Sequence, residues 1–199
     1  MIKPPADLKF DFEKFIACST YFAKYCPNLT KLKLAKLFYF LDKYHLLSYG
    51  RPVIGDNYIR MDLGPVPSIA VDILDEIEDV QKFKLKMLDS KNKEVFDRFL
   101  KVIKDSKYPT YKAKIDPDLD VLSKSEIEAL EAIVKKFGKC QASTLVNITH
   151  KEPIVENTPL NSYIKYRDYF NFESSVKVEA LKYFETLEED ARFLNAIDA

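Results

Sequence analysis

Apolar positions recur at three- and four-residue spacing through most of the chain, the periodicity of helices with one buried face. Phe12, Phe15, Ile16, Ser19 and Phe22 predict a first helix over Phe12–Tyr25. Asp11 is its cap, Phe10 and Phe15 form a hydrophobic staple, and Pro27 lies beyond its end. A second helix is expected from Lys31 to Leu47, capped by Thr30 and stapled by Leu29 and Leu34. Leu32, Leu34, Leu37, Phe38, Phe40, Leu41 and Tyr44 make it apolar nearly all round, leaving a narrow charged stripe through Lys33, Lys36 and Lys43. A helix of that kind belongs at the centre of a fold.

Gly50, Pro52 and Gly55 mark an irregular connection, and Asn57 to Asp62 is short and β-like. Gly64, Pro65 and Pro67 then form a turn into a third helix, with Val66, Ile69, Ala70, Ile73, Ile77 and Val80 as its inward stripe. Its outer face carries Asp72, Asp75, Glu76, Glu78 and Asp79, with no base among them. Gln81 to Leu88 fits a helix or a strand. A fourth helix is expected over Lys93–Lys104, with Phe96, Phe99, Leu100 and Ile103 inward. Tyr108 to Ile115, which holds Pro109, reads as an edge strand. Pairing it with the Asn57–Asp62 strand gives a two-stranded ribbon packed on helices.

Ser123 and Glu126 form a capping box, with Leu122 and Ile127 as its staple, and Gly138 closes that helix. A short helix follows from Ala142 to Thr149. After the proline-bearing stretch from Pro153 to Pro159, a final helix is expected over Ser175–Asn195. The prediction is an α+β fold, mainly α-helical: about six to seven helices around a central apolar helix, with a small two-stranded β-ribbon.

Charge changes the functional picture. Thirty-one basic residues balance thirty-one acidic ones, so the basic excess expected of a nucleic-acid binder is absent. Ser123 to Thr149 nevertheless has the spacing of a helix-turn-helix, which makes a DNA-binding regulator the alternative reading. Its second helix offers Ser143, Thr144 and Asn147 but no arginine to base edges. Lys31, Lys33, Lys36 and Lys43 read as the solvated edge of the second helix, with a phosphate-binding stripe as the sharper option. The acidic third helix reads as a solvated face or as a surface for a basic partner.

Candidate chemistry is thin. His45 and His150 lack any metal-binding companion motif, and there is no GxSxG, P-loop or GxGxxG. Cys140 and His150 flank the short helix, but nothing positions a third group beside them, and core packing is the better account of all three cysteines. No catalysis, metal or cofactor is expected. His150, at the end of a short helix, reads as a structural clasp or a partner contact. Three cysteines without a CxxC pair, no signal peptide and no apolar run of ~20 residues place the chain in a reducing cytoplasm, away from membranes.

Leu29-Thr-Lys-Leu-Lys-Leu-Ala-Lys-Leu-Phe-Tyr-Phe40 is followed by Gly50-Arg-Pro52, by Tyr58-Ile-Arg-Met-Asp-Leu-Gly-Pro-Val66, by Leu122-Ser-Lys-Ser-Glu126 and by Thr149-His-Lys-Glu152. In that order and spacing they resemble the Panacea domain, the SocA-like antitoxin family also described as phage-associated proteins. The resemblance spans about Phe12 to Pro159. It implies a domain over 1–160 and a C-terminal helical extension, 161–199, packed on it. It also implies an antitoxin that neutralises a cognate protein toxin by direct binding, with delivery to a Clp-type protease as one known route. The family-like positions are Lys33, Leu34, Lys36, Leu37, Tyr39, Gly64, Pro65, Val66 and His150. Three departures stand out: Ala35 replaces the usual Gln, Met61 a usual Trp, and Ile154 or Val155 another Trp. With Asp75 and Glu76 on the acidic helix, Lys33, Lys36, Tyr39, Met61, Gly64, Pro65, Val66 and His150 are the partner-binding or motif candidates.

Overall fold

The computed structural model describes residues 9–78, 88–173 and 176–197. In chain order they form α1 (Phe12–Tyr25), α2 (Lys31–Tyr49), β1 (Tyr58–Met61), β2 (Gly64–Pro67), α3 (Ser68–Ile77), α4 (Ser90–Phe99) and β3 (Leu100–Ile103). Then come β4 (Thr110–Ala113), α5 (Lys124–Phe137), α6 (Ala142–His150), α7 (Pro153–Asn157), β5 (Tyr163–Ile164), α8 (Tyr166–Phe172) and α9 (Val178–Ile197). The architecture is α+β and mainly helical.

The helix starts follow their local chemistry. Asp11 accepts from the Lys14 amide at 3.0 Å, and the Phe10 and Phe15 rings lie 5.7 Å apart, so both cap and staple form at α1. The capping box at α5 is complete in both directions. α2 is the centre, with Leu34, Leu37, Phe38, Tyr39 and Leu41 fully buried and neighbours on several sides. It runs to Tyr49, one turn-half beyond the expected Leu47, and ends on Gly50 at φ 78°. A side chain at Gly50 would strain that left-handed backbone and strike the Ala180 carbonyl of α9 at 2.3 Å.

Several expectations are corrected. The fourth helix ends at Phe99, and Leu100–Ile103 turns into β3, because Leu-Lys-Val-Ile finds an antiparallel partner in β4. The three- and four-residue spacing of Phe96, Phe99, Leu100 and Ile103 had concealed that change of period. β4 therefore does not pair with β1. β1 lies between β2 and β5 in a three-stranded antiparallel sheet, ordered β2-β1-β5. Gly64–Pro67 is a strand rather than only a turn; it sits at the sheet edge, where proline's missing N–H is tolerated. Val66 accordingly belongs to a strand and not to the stripe of α3. The short α7, β5 and α8 fill the stretch left unassigned before the final helix, so nine helices stand among the described residues. That final helix begins at Val178. Val80, Asp79 and Gln81 to Met87 lie outside the described residues, as does Ser175.

Candidate functional site

The three-stranded sheet has two chemically different faces. Pro67, Tyr58 and Ile164 form one cross-strand row, and all three are buried. The next row, Val66, Ile59 and Tyr163, points to the other face by the alternation of a strand, and each member is partly exposed. Met61, two positions along β1 from Ile59, continues that open row at 43% exposure. Leu63 in the hairpin turn and Leu160 before β5 are 52% and 50% exposed. The result is an apolar platform at the molecular surface.

The side chains behind it explain why the platform holds its shape. Lys36, on α2, is 0% exposed, and its Nζ donates to the Pro65 carbonyl at 2.6 Å. Among the described residues no carboxylate pairs with it, and burial pushes its pKa down to about 7. Lys33 is 2% exposed and clasps two carbonyls, Pro27 at 2.7 Å and Gly138 at 2.8 Å, joining the start of α2 to the end of α5. Neither lysine is a solvated edge or a phosphate stripe. Both hold backbone together from inside. Of that series, among the described residues, only Lys31 and Lys43 form ion pairs, with Asp75 and Glu78 and with Glu152 and Glu173.

Gly64 stands at φ 84°, and a Cβ there would meet Thr149 Oγ1 at 2.7 Å, His150 Cδ2 at 3.2 Å and Lys36 Nζ at 3.3 Å. The hairpin thus seats directly on the end of α6, which only glycine permits. His150 itself is exposed at the rim. Tyr39 is buried, and its hydroxyl donates to Glu152, just beyond α6. Asp56, also buried, accepts from the Asn57, Ile69 and Ala70 amides at 2.7, 3.0 and 2.7 Å, and so caps α3 from a distance where Pro67 cannot. Asp42 on α2 accepts from the Val53 and Ile54 amides and from the Tyr58 hydroxyl at 2.7, 3.0 and 3.0 Å. Burial raises their pKa values, Asp42 to about 6 and Asp56 to about 7, against the pull of those donors.

The sequence candidates therefore divide. Lys36, Tyr39, Gly64, Pro65 and His150 meet where α2, the hairpin and α6 join, with Met61 and Val66 presented on the outer side of the same hairpin. Lys33 serves a separate joint. Asp75 and Glu76 lie away on α3, which is less bare than its sequence implied: Lys31 pairs with Asp75 and Glu78, Tyr111 donates to Glu78, and Glu76 accepts from the Leu88 amide at 3.1 Å. Cys140 and His150 stand at opposite ends of α6, about 13 Å apart for a nine-residue helix, too far for a nucleophile and its base. Among the described residues, no group of three or more His, Cys, Asp and Glu is placed to hold a metal ion, and no helix is long and apolar enough to cross a membrane.

The family model described as antitoxin SocA-like, Panacea domain, matches residues 34–154, more than half of the chain. This chain belongs to the SocA-like antitoxin family. No curated protein and no solved structure matches it. The Panacea match opens at Leu34 and closes at Ile154, so it contains all but the first three residues of α2, together with the hairpin and α6, the elements that build and back the platform. Sequence reasoning missed the platform's other half. Ile59 lay in a segment noticed as β-like and as part of the family resemblance but not itself singled out, and Tyr163 is brought alongside by β5, a two-residue strand with no periodicity to detect.

Proposed function

We propose that this chain is the antitoxin of a toxin–antitoxin pair and neutralises a protein toxin in the cytoplasm by binding it through the open face of the three-stranded sheet. Family membership supports a protein partner. The observation that carries the surface is the row Val66, Ile59 and Tyr163, extended by Met61 and left partly exposed while the opposite row is buried. Apolar residues of this kind, desolvated at the centre of an interface, supply most of its affinity. Methionine at position 61 is flexible and tolerant of irregular partners. Simple occlusion of the toxin and its delivery to a Clp-type protease share this first binding step.

The acidic helix is a weaker candidate for the contact. Charge reversal at Asp75 would break an internal ion pair with Lys31 as well as change any field that steers a partner. The platform offers a cleaner test. Co-expression of the neighbouring reading frame with this chain should restore growth, and the two products should co-purify. Val66→Asp and Met61→Asp should weaken the complex at least about 100-fold and lose protection, while each variant melts like the parent. Full protection by both variants would remove the sheet face from the mechanism. Specific retardation of promoter DNA by the chain alone would instead favour the regulator built on Ser123 to Thr149.

A further inference from the structure

A second polar cluster lies at the start of α5, away from the platform. His45 on α2 is buried, and its Nδ1 lies 2.7 Å from the Arg51 carbonyl. A carbonyl only accepts, so Nδ1 carries the proton and Nε2 of the neutral ring is the acceptor. Ser125 Oγ lies 3.0 Å from that Nε2 and therefore donates to it. Ser123 Oγ, 3.1 Å from Ser125 Oγ, then supplies the next donor in the chain, and itself accepts from Arg51 Nη2 at 3.2 Å. Nucleophile, base and a group that fixes the base's tautomer are all in hydrogen-bond contact. Burial also lowers the His45 pKa, against the Arg51 carbonyl, which raises it; Arg51 and Lys14 add to the lowering and Glu126 opposes it. Ser125 is partly exposed and Ser123 exposed, so the pair opens to solvent.

We propose that Ser125 is a base-activated nucleophile, with His45 as its base, that reacts with small activated carboxylic esters. Ser125 Oγ bonds to the acyl carbon as its proton passes to His45 Nε2. The tetrahedral adduct collapses, the bond to the alcohol oxygen breaks, and that oxygen takes the proton from Nε2. Water, deprotonated by the same nitrogen, then releases the carboxylic acid and restores the serine. First-turn amides of a helix lack intrahelical acceptors, so those of Lys124 and Ser125, with Arg51 beside them, suit the developing oxyanion. This activity is independent of toxin binding by the sheet.

The test uses a fluorophosphonate on the purified chain. Oγ–P bond formation expels fluoride, with the serine proton leaving as HF, and should add the probe's mass less HF to the peptide holding Ser125. Ser125→Ala should abolish labelling, and His45→Gln should slow it by about 100-fold or more. An unlabelled parent chain, beside a serine hydrolase that labels, overturns the proposal; so does label that persists in Ser125→Ala, or an unchanged rate in His45→Gln. Because His45 is buried, its replacement can compromise folding, and Ser125→Cys gives a readout that leaves the histidine in place. Its thiol should be alkylated by iodoacetamide at pH 7 about tenfold faster than a free cysteine. A rate equal to or below that of the free thiol would also overturn the assignment.

Discussion

Asp42 and His45 lie three residues apart on α2, yet they belong to polar clusters that handle burial in opposite ways. On the hairpin side, Asp42 and Asp56 are surrounded by amides and phenols, and their pKa values rise to about 6 and about 7 because burial outweighs those donors. At the α5 corner, Glu126 is just as inaccessible, but Lys14 bonds it at 2.9 Å and Arg51 pairs with it as well. Burial pulls that carboxyl up, and the Lys14 ammonium, the Ser123 amide and Arg51 outweigh it, holding the pKa at about 2. Lys14 and Arg51 remain partly exposed, so the cations arrive from the surface with their stems along the protein. The first cluster is a sealed scaffold behind the sheet. The second stays in touch with water, which is where reactive geometry is useful.

The largest effect expected of this contrast is on stability. Asp56→Ala strips the acceptor from three amides and from the start of α3, and should cost about 3 kcal/mol or more. Ser123→Ala removes a cap that water can partly replace, and should cost about 1 kcal/mol. Urea unfolding of the two variants measures both. Equal losses would mean that the sealed and open clusters do not differ as described.

The sequence disclosed the contrast unevenly. Local signals were legible: the capping box at Ser123 and Glu126 and the staple at Phe10 and Phe15 depend on residues within five positions, and both formed. The centrality of α2 was also legible, since its apolar residues cover nearly the whole circumference. Lys33 and Lys36 were misread because a lysine on an amphipathic pattern defaults to solvent, and their carbonyl partners, Gly138 and Pro65, lie 105 and 29 residues away. Asp56 gave no sign of capping α3, because its target amides are thirteen and fourteen residues on. The His45–Ser125 pair spans 80 positions and was invisible for the same reason. Of the platform, Met61 and Val66 emerged through family resemblance, whereas Ile59 and Tyr163 required the strand register.

Acid titration sharpens the comparison from the side of protonation. Between about pH 4 and 7 the folded chain retains protons on Asp42 and Asp56 that the unfolded chain has released, so stability falls as pH rises through that window. Glu126 acts in the opposite sense. Below about pH 4.5 the unfolded chain takes up its proton first, and stability is lost as pH falls toward 2. Unfolding free energies against pH should therefore peak near about pH 4–5. Asp56→Asn should flatten the upper limb and Glu126→Gln the acid limb. A parent profile that is level from pH 4 to 7 would show that the hairpin-side carboxylates are not held in a proton-retaining environment.

The smallest effect at pH 7 belongs to Lys36, the buried lysine of the hairpin side. Its folded pKa of about 7 lies below the ordinary lysine value of 10.5, so above pH 7 the unfolded chain binds the extra proton and stability rises with pH. Lys36→Met keeps the volume of the side chain, removes the cost of burying an amine and leaves the Pro65 carbonyl without its donor. These changes oppose one another, and the net at pH 7 should stay within about 1 kcal/mol. The decisive reading is the slope. The parent should gain stability between pH 7 and 10, and Lys36→Met should not, in matched urea titrations. Identical slopes would mean that the ammonium is stabilised in the fold, and that the hairpin side shares the charge compensation of the α5 corner after all. Because Lys36 supports the platform from behind and does not reach its surface, the same variant should still bind the proposed protein partner, separating the residues that build the sheet from Met61 and Val66, which would touch that partner.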